Sequence, residues 1–199
     1  MPTVRECMIQ HREALRSGTN PKPGPPVLVE SAYSTEVLLP KGEAIQRTPT
    51  WSTQPFKLED LEEEKHKQVR IERMMALQDL VSDSSQVIKL VLSGQHSGPH
   101  IAIGRAKRND VVINDETVSS VHASIENTGA AMLLIDRNSS NGTFVNQQRL
   151  APGEPMPLTS GDCIRFGKRV YYYLTGERLL LFLELRIVKF GSGTREEKS

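Results

Sequence analysis

Met132-Leu133-Leu134-Ile135-Asp136-Arg137-Asn138-Ser139-Ser140-Asn141-Gly142-Thr143-Phe144-Val145 sets two short apolar runs on either side of a polar turn. Four apolar residues are too few for a helix, and Asn-Gly supplies the positive φ that a tight reversal requires. The stretch therefore reads as strand, turn, strand. Similar pieces flank it: Val87-Ile88-Lys89-Leu90-Val91-Leu92, Ile101-Ala102-Ile103, Val111-Val112-Ile113 and Ala123-Ser124-Ile125 before it, Cys163-Ile164-Arg165-Phe166 and Val170-Tyr171-Tyr172-Tyr173-Leu174 after it. Many short strands at close spacing, with glycine and asparagine turns between them, predict a mainly β sandwich or barrel.

Outside that region the pattern changes. Eight of the twelve prolines lie between Pro2 and Pro55. Proline removes amide donors and blocks helix, so residues 1–55 are expected to be a flexible tail. Residues 56–85 form a helical segment, the helix itself covering about 57–82. Its acidic start at Glu59-Asp60-Leu61-Glu62 suits a helix N-terminus, and Met74, Leu77, Leu80 and Val81 keep helical spacing. The sandwich takes residues 86–176. Residues 177–199 read as an amphipathic helix over about 177–188 and a polar tail, with a further strand as the alternative for the apolar run.

With 25 basic against 24 acidic residues, the chain has no basic excess that would call for nucleic acid or an anionic membrane. The apolar run Leu179–Leu183 is much too short to span a bilayer. Cys7 and Cys163 build no disulfide framework or Cys-x-x-Cys pair, and residues 1–30, without an apolar core behind a basic start, are not expected to be a secretory signal. A cytoplasmic protein is expected. Enzyme-like fragments fail on spacing: Gly161 to Gly167-Lys168-Arg169 is one residue too long for a phosphate loop and has Arg169 where a hydroxyl is needed. His96 and His100 have no acidic or thiol company, so neither metal nor cofactor is expected.

Four polar groups stand at strand ends: Gly104-Arg105, Ser119-Ser120-Val121-His122, Asp136 through Thr143, and Gly161-Asp162 ahead of Phe166-Gly167. Arginine, hydroxyls and asparagine amides can hold an anion but include no strong general base, which points to binding and not catalysis. This ordered set, Gly-Arg, then Ser-x-x-His, then Ser-Ser-Asn-Gly-Thr, resembles the forkhead-associated (FHA) domain over about Val87 to Leu174. The resemblance implies an FHA-type β-sandwich that holds a phosphothreonine peptide in loops at one end. It implies that Arg105, Ser119 and Ser120 contact the phosphate, that Ser140 borders the threonine methyl, and that Asn141 clamps the ligand's main chain. Ser120 stands where many members carry arginine or asparagine. Gly104, His122 and Gly142 are implied to support the site. The expected partners are a phosphothreonine-containing protein and an upstream Ser/Thr kinase.

Arg108, Arg137 and Gln147 are the sequence's candidates for reading residues beside the phosphothreonine. Thr48 and Thr50, following Arg47, are candidate regulatory phosphosites whose modification would let the tail occupy the pocket. The competing function is a scaffold that binds partners without phosphate, through the sandwich face and the 57–82 helix.

Overall fold

The computed structural model of the protein describes residues 1–33, 74–91 and 100–190. Among the described residues, three helices, α1 (Val4–Arg16), α2 (74–80) and α3 (Gly176–Phe190), accompany eleven strands. The strands are β1 (Val27–Glu30), β2 (Val87–Lys89), β3 (His100–Gly104), β4 (Val111–Val112), β5 (Ala123–Asn127), β6 (Met132–Asp136), β7 (Thr143–Val145), β8 (Gln148–Arg149), β9 (Pro155–Pro157), β10 (Cys163–Phe166) and β11 (Arg169–Leu174). They form a six-stranded sheet, β2-β1-β11-β10-β7-β8, and a five-stranded sheet, β4-β3-β5-β6-β9. Every pairing is antiparallel except β3 with β4. The fold is a β-sandwich of two sheets.

The main core lies between the sheets. Ile101, Ile103, Ala123, Ile125 and Leu134 meet Leu28, Ile88, Ile164, Phe166, Tyr171 and Tyr173 there. Successive strand residues point to opposite faces, so the six-stranded sheet offers a second set outward: Val27 and Val29 from β1, Val87 from β2, Tyr172 and Leu174 from β11. The helices cover that face with Val4, Met8, Met74, Leu77, Phe182 and Leu183. A buried polar clasp ties two of them together. Gln78 Nε2 donates to Phe182 O at 2.9 Å, while Arg186 Nη1 donates to Gln78 O at 3.0 Å and its Nε to Asp83 at 2.9 Å.

The expectation of a flexible tail over residues 1–55 fails for residues 1–33. Thr3 caps α1 and accepts from Glu6 N–H, while the Glu6 carboxylate accepts from Thr3 N–H. The two satisfied amides define a capping box. β1 is an interior strand: it pairs with β11 on one side and β2 on the other. Its Val-Leu-Val run lacks the polar alternation of a half-exposed strand because both of its faces are buried. The prolines at 25 and 26 stop at the strand's entrance, where a missing amide disrupts no ladder. Residues 34–55, with Thr48 and Thr50, lie outside the described residues.

Of the helix expected over 57–82, residues 57–73 also lie outside the described residues, and 74–80 is helical. Met74, Leu77 and Val81 turn inward, so this face is used within the chain and does not serve the scaffold reading. The C-terminal segment is α3 and not a strand. No helix among the described residues is long and apolar enough to cross a membrane.

A consequence follows for the N-terminal segment. Leu28→Ala removes a side chain with no exposed surface and should cost about 2–5 kcal/mol in denaturant unfolding. A flexible tail would leave the midpoint unchanged.

Candidate functional site

Three loops meet at one end of the sandwich. The first leaves β3 at Gly104, where a Cβ would fall 2.5 Å from Ser120 O and 2.9 Å from Asn109 Nδ2. Only glycine lets the loops approach so closely. Arg105 N–H then donates to Ser119 O at 2.9 Å, Ala106 N–H to Ser120 O at 3.1 Å, and Asn109 Nδ2 to both Ala106 O and Ser120 O at 2.7 Å. The Arg105 side chain lies across the second loop, its Nε donating to Val118 O at 3.3 Å, with the residue exposed.

The second loop is shaped by Asp115, which accepts from Thr117 N–H at 2.9 Å and from Thr117 Oγ1 at 2.5 Å. Such a local side-chain bond is a turn device. Ser119 N–H donates to His122 Nδ1 at 3.0 Å. That fixes the neutral tautomer, because the accepting nitrogen carries no proton and the hydrogen sits on Nε2, 3.3 Å from Gly142 O. His122 is fully buried, edge-on to Phe166 at 5.6 Å between ring centroids. It joins the second loop to the third.

The third loop, between β6 and β7, turns on Asn138 and Gly142, with φ of 57° and 78°. Buried Asp136 organises it by accepting from Ser139 N–H at 3.0 Å, Ser139 Oγ at 2.6 Å and Thr143 Oγ1 at 2.5 Å. Ser140 N–H donates to Ser119 Oγ at 3.0 Å, the two hydroxyls stand 3.4 Å apart, and Asn141 Nδ2 donates to Thr117 O at 2.8 Å. Lys168 N–H, from the β10–β11 turn, reaches Thr117 Oγ1 at 2.9 Å.

Arg105, Ser119, Ser120, Ser140 and Asn141 are thus brought together on one rim, with Gly104, His122 and Gly142 directly beneath it. Ser120 is exposed and its hydroxyl has no partner among the described residues. The family model of the FHA domain matches residues 101–167, the span that carries all three loops. The chain carries a forkhead-associated domain. Similarity extends to the glycogen accumulation regulator GarA of Mycolicibacterium smegmatis, 30% identical over 48% of this chain and 63% of that protein. The oxoglutarate dehydrogenase inhibitor of Corynebacterium jeikeium is 35% identical over 39% of this chain and 51% of its own length. The chain therefore spans less than two thirds of either relative. Among solved structures, the FhaA FHA domain complexed with the intracellular domain of Rv3910 is 30% identical, covering 44% of this chain and 87% of that one with a TM-score of 0.38.

Sequence reasoning passed over Asn109, Asp115 and Thr117, which build these loops, and gave Asp136, though inside one of the four polar groups, no role of its own. The signal was present in part, since Asp-x-Thr at 115–117 and Asp-x-x-Ser at 136–139 are turn patterns. Arg137, a sequence candidate for reading the ligand, is engaged elsewhere: it donates to Ser124 Oγ at 2.8 Å and to Glu126 at 3.1 Å.

Burial holds the His122 imidazole below its ordinary pKa, against the opposing pull of the Gly142 carbonyl and the Asp136 carboxylate. Burial alone would raise Asp136, but hydrogen bonds from Ser139 and Thr143, with a smaller contribution from His122, hold it below the usual carboxylate value. Both folded pKa values are depressed. The stability that His122 contributes is complete above its unfolded value of about 6.5 and is lost as pH falls from there through the folded value. The Asp136 contribution is lost only as pH falls below its unfolded value of about 3.9. Denaturant midpoints of the wild type should accordingly decline as pH drops below about 6.5. His122→Ala, which strands Ser119 N–H and Gly142 O, should cost about 2 kcal/mol or more at neutral pH and show a shallower decline.

Proposed function

We propose that the FHA domain is a phosphothreonine-dependent adaptor: it holds a phosphothreonine peptide of a partner protein on the rim of Arg105, Ser119, Ser120, Ser140 and Asn141. The observation that carries this reading is the convergence of a guanidinium, three hydroxyls and a carboxamide from three loops that are hydrogen-bonded to one another. A phosphate near neutral pH carries between one and two negative charges and three strong acceptor oxygens. Arg105 supplies the charge-assisted donor, and Ser119 and Ser120 add hydroxyls. Asn141, with Nδ2 committed to Thr117 O, keeps its carboxamide oxygen to accept from a ligand main-chain N–H. Ser140 borders the threonine methyl.

Because Ser119, Ser140 and Asn141 are already tied down by hydrogen bonds between the loops, little ordering entropy is lost there on binding. Two or three charge-assisted bonds of about 1.5–3 kcal/mol each, with a main-chain clamp, are consistent with roughly micromolar affinity. No residue on the rim is a strong general base, and the regulatory names of the two relatives fit a binding module without catalysis. An upstream Ser/Thr kinase in the cytoplasm would create the ligand.

Fluorescence-polarisation titration of a phosphothreonine peptide library, with the unphosphorylated peptides as control, tests this reading. Binding should require the phosphate, and Arg105→Ala should weaken it by at least about 2 kcal/mol, roughly thirtyfold, without lowering the melting temperature. Equal affinity of wild type and variant, or indifference to the phosphate, would count decisively against it.

A further inference from the structure

Phe144, in the middle of β7, stands directly opposite Arg149 on β8 and Arg165 on β10. Directly paired residues present their side chains on the same face of a sheet. Thr143 and Val145 are buried while Phe144 is only partly so, which puts all three side chains on the outer face. They form a row of cation, aromatic ring and cation across three strands. The Arg165 guanidinium lies 3.4 Å from the Phe144 ring centroid and donates through Nη1 to Gly167 O at 2.7 Å. The Arg149 guanidinium lies 6.0 Å from the same centroid.

This row abuts the phosphate rim. A Cβ on Gly142 would fall 2.8 Å from Arg149 Nε, and Gly167 N–H reaches Gly142 O at 3.4 Å. Asn141, the proposed main-chain clamp, is the residue before Gly142. Neither arginine has a carboxylate partner among the described residues. Glu154 shares a hollow of about 220 Å³ with Arg149 but forms no ion pair with it. Burial draws the Arg165 pKa down, with Cys163 opposing and the Arg149 charge adding to the shift. Two like charges held one strand apart on either side of a ring repel each other. An incoming anion relieves that repulsion.

We infer that Arg149, Phe144 and Arg165 form a second subsite, which takes an acidic side chain on the same peptide a few residues from the phosphothreonine. The inference rests on the phosphothreonine reading and names the ligand class that the site prefers. An extended peptide advances about 3.3 Å per residue, so such a side chain spans the step from Asn141 to the row. Its oxygens face two guanidinium forks, a geometry suited to a carboxylate or to a second phosphate.

The test is a set of phosphothreonine peptides in which a single Glu is walked along the positions around the phosphothreonine, each matched to its Gln counterpart. At one or two positions Glu should bind about fivefold tighter than Gln. That ratio should fall towards one in Arg149→Gln and in Arg165→Gln, and Arg149→Glu should shift the preference at the same position towards Lys. Arg149 is exposed on a two-residue edge strand, so its variants keep the test valid if Arg165→Gln loosens Phe144. Phosphoserine at the preferred position separates the two sources of charge, a larger gain than Glu assigning the subsite to a second phosphate and an equal or smaller one to a carboxylate. Phosphate-dependent binding with no difference between Glu and Gln at any position overturns the subsite and leaves the phosphothreonine reading intact. A difference that survives both arginine substitutions overturns it equally. Failure of every phosphopeptide to bind the wild type overturns both.

Discussion

A neutral imidazole accepts at one ring nitrogen and donates at the other, and His122 uses both, towards Ser119 N–H and Gly142 O. Two loops that are distant in sequence are thereby held at a fixed separation by one rigid ring. Burial against Phe166 keeps the ring neutral, because a charged imidazolium there would lose its hydration without gaining a full counter-charge. Ser119 Oγ can then meet Ser140 N–H, and Asn141 can reach Thr117 O. Arg105 joins through its N–H on Ser119 O and its side-chain Nε on Val118 O. The rim is a consequence of that spacing, closed by the Ser119–Ser140 and Asn141–Thr117 hydrogen bonds.

The frame in turn depends on a sheet buried on both sides. Leu28, Tyr171 and Tyr173 face the inter-sheet core, while Val27, Val29, Tyr172 and Leu174 face the helices. The second layer is closed by the buried polar clasp of Gln78 and Arg186, whose guanidinium is balanced by Asp83 at its outer end. A buried cation costs a great deal unless it is paired and hydrogen-bonded, and here it is both. The N-terminal segment is part of this arrangement: β1 cannot be withdrawn without breaking two ladders of the six-stranded sheet.

Much of the sandwich was legible because its strands are short apolar pieces punctuated by turn residues, as with Met132–Ile135 and Thr143–Val145 around Asn141-Gly142. β1 was not, since the prolines around it resemble those of an unpacked linker and Val-Leu-Val shows no alternation. The missing alternation reflects burial on both faces, which no single segment reveals about itself. α1 carried a readable sign, Thr3-x-x-Glu6, that a proline-based reading of the tail overlooked. The rim residues were legible as an ordered set of types, yet of the sequence candidates for reading the ligand, Arg137 is engaged elsewhere. Arg137 alternates onto a strand-side partnership with Glu126, whereas Arg149 and Arg165, far apart in sequence, become neighbours only through Phe144.

The chain by itself determined which chemistry was on offer: one arginine, hydroxyls and an asparagine at strand ends, with glycines where backbones must pass closely. Those properties are local, set by side-chain type and by φ preferences within a few residues. Tertiary structure decided what stands beside what, including the place of β1 inside a sheet and the row of two arginines around one ring. Cross-strand register makes those neighbours, and register is fixed by burial of whole faces at once, a constraint spread over the entire sandwich and contained in no single stretch of it.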